Sequence, residues 1–176
     1  MLWIGVALAA PARADGIEVR NAALISAEDG YVLEAEFGVS LTHTLEEALN
    51  HGVPLYFALE FELTRPRWYW LNEKLSSTRQ LYRLSYNALT RQYRVGVRTL
   101  YQNFASLPEA LGFMSRVRVH DIAETGALRM GNNYTAALRL RLDSAQLPRP
   151  FQVSAVGSRD WNVSSDWYRW TVTVSP

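Results

Sequence analysis

The 176-residue sequence contains no cysteine, which excludes thiolate metal sites, a cysteine nucleophile and any disulfide framework. Lysine is nearly absent as well: Lys74 is the single one among 18 basic residues, and the rest are arginine. Histidine is limited to His43, His51 and His120. His43 and His51 flank Glu46 and Glu47 but do not have the i, i+4 spacing of a zincin pair, and His120 is followed only by Asp121. No metal centre and no cofactor are expected. There is no Gly-x-Ser-x-Gly elbow, and Lys74 precedes Ser76 and Ser77, the reverse of a Ser-x-x-Lys order. Gly131-Asn132-Asn133 reads as a turn, since no phosphate-loop helix follows it. No catalytic residue can be named from these patterns.

An excess of one charge is also missing. The 18 basic residues face 17 acidic ones, so no electrostatic case exists for nucleic acid. No polybasic run is present to hold the chain on anionic lipid. Long apolar runs are absent too. The run Leu2 to Ala10 falls well short of the roughly 20 apolar residues a membrane helix requires. Followed by Ala12-Arg13-Ala14, it reads as a secretory signal cut before Asp15, although no basic residue precedes Leu2. The expectation is a signal peptide over 1–14 and one soluble periplasmic domain over 15–176, with no integral membrane segment. A cysteine-free exported domain must be held by its core, and six Trp, nine Tyr and six Phe supply material for one.

Alternation of apolar and polar residues with period two dominates from Ile17 onward, the mark of half-buried strands. Strands are predicted over Ile17–Ser26, Tyr31–Leu41, Val53–Thr64, Arg67–Leu75, Arg79–Tyr86, Gln92–Tyr101, Arg116–Ile122, Asn133–Leu142, Leu147–Val156 and Trp167–Val174. Phe57, Leu59, Phe61 and Leu63 fall on one face, with Glu60 and Glu62 on the other. Phe57, Phe61, Trp68 and Trp170 are the proposed core aromatics. Two short helices are predicted. One is capped by Thr44 with Glu47 as its box partner, and ends near Gly52. The other is capped by Ser106, with Pro108 in its first turn and Glu109 as partner. About nine or ten strands with so few helices give an all-β fold, an antiparallel β-sandwich or open barrel.

Two surface features stand out. In Arg65-Pro66-Arg67-Trp68-Tyr69-Trp70, the rings of Trp68 and Trp70 beside Arg67 suit stacking on a planar or sugar-like ligand. The competing reading buries both tryptophans in the core. The second feature is an arginine stripe on the hairpin around Asn87–Thr90. Setting Leu84 opposite Tyr93 places Arg83 opposite Arg94, and Arg79 opposite Arg98. Opposed like charges are destabilising, so something acidic belongs beside them. Either Glu34, Glu36, Glu60 and Glu62 supply it, or an acidic partner or anionic envelope component does. The alternating pairs Glu34/Glu36 and Glu60/Glu62 read as cross-strand ion pairs rather than glycosidase carboxylates.

The chain resembles the proteobacterial exported family called domain of unknown function 4390. The resemblance rests on Pro54-Leu55-Tyr56-Phe57, Glu60-Phe61-Glu62-Leu63, Arg65-Pro66-Arg67-Trp68, Arg83-Leu84-Ser85-Tyr86 with Leu89-Thr90-Arg91-Gln92-Tyr93, and Ser106-Leu107-Pro108-Glu109-Ala110-Leu111. It implies export and an envelope role accessory to signalling, and it assigns no activity and no site residue. The expected function is a periplasmic binding or protein-interaction module. The ligand- or partner-binding candidates are Arg79, Arg83, Arg94, Arg98, Arg67, Trp68 and Trp70. One alternative is a carrier holding a hydrophobic or lipid-like ligand between the sheets, which requires an apolar interior cavity. The other is a hydrolase, which requires converging polar groups in a cleft.

Overall fold

A computed structural model describes residues 16–66, 73–124, 126–129 and 131–173. The antiparallel hairpin β1 (Gly16–Ala27) and β2 (Gly30–Ser40) opens the chain. Glu28 and Asp29 form its tip, and Gly30 follows at φ 141°. A Cβ at Gly30 would sit 2.3 Å from the carbonyl oxygen of Ala123, so the site tolerates only glycine on both backbone and steric grounds. Helix α1 (His43–Asn50) leads to β3 (Leu55–Arg65), β4 (Glu73–Asn87), β5 (Gln92–Val97) and β6 (Leu100–Phe104). Helix α2 (Leu107–Met114), β7 (Arg116–Ala123), β8 (Asn133–Leu142), α3 (Arg149–Ala155) and β9 (Tyr168–Thr173) complete the described elements.

The nine strands form two antiparallel sheets. One has the order β1-β2-β7 and the other β6-β5-β4-β3-β8-β9. The arrangement is a sandwich of unequal sheets and not a closed barrel. Period-two patterning explains its core. Leu55, Phe57, Leu59, Phe61 and Leu63 of β3 all point inward and are buried. They meet Leu84 of β4 and Tyr134, Leu138 and Leu140 of β8, and Leu33 and Phe37 of β2 belong to the same cluster. Phe61 packs on Trp170 with ring centroids 6.2 Å apart. Trp170 itself is half-buried at the margin of the core, and Trp68 lies outside the described residues.

Several expectations are corrected. The α1 cap is Thr42, whose hydroxyl accepts from Leu45 N, and Thr44 lies inside the helix with its hydroxyl directed at Asp160. Thr42 wins because its backbone is extended while Thr44 has already joined the helix. At α2, Ser106 accepts from Glu109 N as expected, and the Glu109 carboxylate accepts from Ala105 N. The predicted strand Gln92–Tyr101 is split by a two-residue turn, Arg98-Thr99, into β5 and β6. Leu147–Val156 is not a strand. Pro148 and Pro150 fit a helix start but cannot serve a sheet ladder, and the chain forms α3 with Phe151 and Ala155 against the core. The predicted strand Arg67–Leu75 falls largely on residues outside the description, and β4 begins at Glu73.

Candidate functional site

The outer face of the six-stranded sheet divides into two halves of different chemistry. On the β3–β8 side, Glu60 lies in register with Arg79 of β4 and Arg139 of β8. Its carboxylate accepts from Arg139 and, at 2.9 Å, from Arg141. Asp143, just past β8, is buried and pairs with Arg79 at 2.6 Å and Arg141 at 3.7 Å. Its backbone N–H donates to Tyr56 O at 2.7 Å, which fixes it to the start of β3. Arg139 also lies over the Trp167 ring, 4.4 Å from its centroid. Burial pushes the Glu60 carboxyl upward, but hydrogen bonds from Arg141 and Arg139, with their charges, outweigh this. The net effect holds it below the usual carboxylate range. Among the described residues, each charge of this closed β3–β8 network has an opposite partner, whereas Arg169 of β9, farther out on the same face, has only the Trp167 ring, 5.9 Å from its centroid.

The β4–β6 side is different. The hairpin register sets Leu84 against Val95 and Tyr86 against Tyr93, two residues from the expected alignment. Arg83 therefore faces Gly96, and Arg94 faces Ser85. Arg79 lies beyond β5, opposite Glu60, and Arg98 sits in the β5–β6 turn. The predicted four-arginine stripe is thus broken up: Arg79 belongs to the closed network, and Arg83 and Arg94 remain diagonal neighbours on one exposed face. The acid that neutralises Arg79 is Asp143, not one of the four glutamates expected to do so. Those four are committed elsewhere: Glu34 to Arg118, Glu36 to Arg20, Glu60 as above and Glu62 to Lys74.

One cross-strand row organises this open half. Tyr56, Arg83, Gly96 and Tyr101 stand side by side on β3, β4, β5 and β6. The Arg83 guanidinium lies 5.9 Å from the Tyr56 ring centroid. The Tyr101 ring covers Gly96 so closely that a Cβ there would meet it at 2.7 Å. Glycine lets that ring lie flat on the sheet, and the exposed arginine stands between two tyrosines. Arg94 Nε donates to Asn103 Oδ1 of β6 at 2.9 Å. Among the described residues, neither Arg83 nor Arg94 has a carboxylate within ion-pair distance. Arg98 stands at φ 53° as the first residue of a tight turn where glycine is the usual choice.

Arg67, Trp68 and Trp70 lie outside the described residues. Tyr56, Tyr101, Asn103 and Asp143 were not legible as site residues. The alternation of Arg139 and Arg141 against Leu138, Leu140 and Leu142 was the one sequence signal for the closed network. A further groove of about 350 Å3 crosses the outer face of the small sheet, over Ala23 and Ala35 and between Glu34, Glu36, Arg116 and Arg118. His43 pairs with Glu47 on α1 at 3.3 Å. Among the described residues no three histidines or carboxylates gather as a metal site, and no helix is long and apolar enough to cross a membrane.

Fold and surface together define an antiparallel β-sandwich carrying a half-neutralised arginine face. The chain belongs to the family described as domain of unknown function DUF4390, whose sequence profile matches residues 14–171. No curated protein and no solved structure matches it.

Proposed function

We propose that this protein is a binding module of the cell envelope, exported to the periplasm, that captures an acidic protein partner on the outer face of β4–β6. The observation that carries this reading is the contrast between the two halves of one sheet face. Arg79, Arg139 and Arg141 are each held by a carboxylate, whereas Arg83, beside the Tyr56 ring, and Arg94, bonded to Asn103, are exposed and meet no carboxylate among the described residues. Arginine suits the task because its planar fork binds a carboxylate at two points and stays charged when partly dried. The lipid-carrier alternative loses support from an interior filled by Phe37, Phe57, Phe61 and Tyr134, all buried.

Changing Arg83 and Arg94 together to Ser should leave the thermal melt intact and abolish capture of an acidic protein from an envelope fraction under native conditions. Capture that survives the double change would remove the arginine face from the reading. N-terminal sequencing of periplasmic protein should begin at Asp15. Recovery of uncleaved cytoplasmic protein would overturn the location.

A further inference from the structure

The edge of the large sheet at β6 lacks the devices that keep sheet edges from pairing. The β1 edge carries Glu18, Arg20 and a register shift between Val19 and Asn21. The β7 edge carries Arg116, Arg118 and Asp121, with a register irregularity and Asp121 at φ 60°. At the other end of the large sheet, β9 carries Arg169. The β6 strand, Leu100-Tyr101-Gln102-Asn103-Phe104, has no charge, no proline and no bulge, and its pairing with β5 runs unbroken. Its first four residues are exposed. The two-residue turn Arg98-Thr99 makes Val97 and Leu100 the hydrogen-bonded pair, so antiparallel alternation aims the N–H and C=O of Tyr101 and Asn103 at the open edge.

The chemistry beside that edge specifies what fits it. On the outer face, Arg94 reaches across to Asn103, and its other N–H groups find no protein acceptor among the described residues. Arg83 is one strand further in. On the inner face, α2 covers the far end of the strand, where Phe113 packs on Phe104 with ring centroids 5.4 Å apart, and Leu100 at the near end is 76% exposed. The acid nearest along the chain, Glu109, is occupied at Ala105 N.

We propose, building on the acidic-partner reading above, that an extended segment of the partner adds as a seventh strand along β6. Alternate residues of that segment are acidic toward Arg94 and apolar toward Leu100. Main-chain hydrogen bonds to Tyr101 and Asn103 supply affinity, and the alternating side chains supply selection. A second copy of this chain is disfavoured as the occupant, since its own β6 has no acidic residue to set against Arg94.

The probe is a capped octapeptide of alternating valine and glutamate, with three controls. These are its valine–lysine counterpart, a version N-methylated at the amides that face the protein, and the Arg94→Gln protein. Backbone NMR should show slowed hydrogen exchange at the Tyr101 and Asn103 amides with the glutamate peptide. The lysine peptide and Arg94→Gln should each weaken binding about tenfold or more, with the melt of the variant unchanged. The N-methylated peptide should not bind. Equal binding of the N-methylated peptide would overturn strand addition while leaving an arginine-dependent face standing. Equal binding of the lysine peptide, protection mapping to another edge, or no binding at millimolar peptide would each overturn the proposal.

Discussion

Arg79 donates to Asp143 across 2.6 Å, joining β4 to the segment just after β8. The two differ in environment: the Asp143 side chain is 4% exposed and that of Arg79 51%. The bond therefore matters chiefly to the acid, which burial would otherwise leave poorly satisfied. Changing Arg79 to Ala should cost about 1–3 kcal/mol, since Arg141 at 3.7 Å remains as the second partner. Adding Asp143→Asn to that variant should recover part of the loss. Urea denaturation of the single and double variants measures both, and a double variant no more stable than Arg79→Ala would show that the acid is not the source of the cost.

Acid should weaken the fold through Glu60. Its folded carboxyl titrates below the unfolded one, so the stabilisation is fully present above the unfolded pKa and is lost as pH falls through the folded value. Between those two values wild-type stability should fall as the pH drops. In Glu60→Gln the slope over that window should be shallower, at a lower overall stability. Denaturation midpoints taken from neutral pH into the acid range give the comparison, and parallel curves would contradict it.

Phe61 is buried on the inner face of β3 and touches Trp170 of β9. Phe61→Ala should destabilise the protein by roughly 3–5 kcal/mol, through lost burial and the cavity left behind. A thermal melt that does not move would place the strand in a different register.

Gly30→Ala should be costly for a different reason. The added methyl meets backbone, the Ala123 carbonyl, which cannot swing aside as a side chain would. Strain at positive φ adds to this, and a loss of about 1–3 kcal/mol is expected. Exchange protection should fall first where β2 meets β7. A neutral result by calorimetry would mean that the two strands part without penalty.

Period two carried most of the fold. The β8 bounds and the inward set of β3 follow directly from alternation, and the Ser106 cap follows from its spacing to Glu109. The hairpin register did not, for a definite reason. Sliding Leu84 from Tyr93 to Val95 is a shift of two, which leaves every side chain on the same face. Hydrophobic pattern is blind to that shift; only the length of the loop Ala88–Arg91 decides it, and the arginine stripe depended on it. The Arg98-Thr99 turn was hidden because it contains neither glycine, asparagine nor proline. Asp143 was hidden because a lone acid after a strand looks like any loop residue until the fold buries it.

The chain order within the two sheets has a bearing on how the molecule assembles. The strands β3 to β6 lie side by side in the order in which they are made, so each can pair with its predecessor as soon as it exists. The β1–β2 hairpin is made still earlier, yet its second neighbour is β7, and β3 must wait for β8. Two early ladders therefore stand with one side open until the chain returns to both. Assembly is gated by these late, long-range closures, which places the protein among the slower-folding all-β topologies, on the order of milliseconds to seconds. During that interval the open sides of β2 and β3 are the segments most exposed to pairing with another unfinished chain.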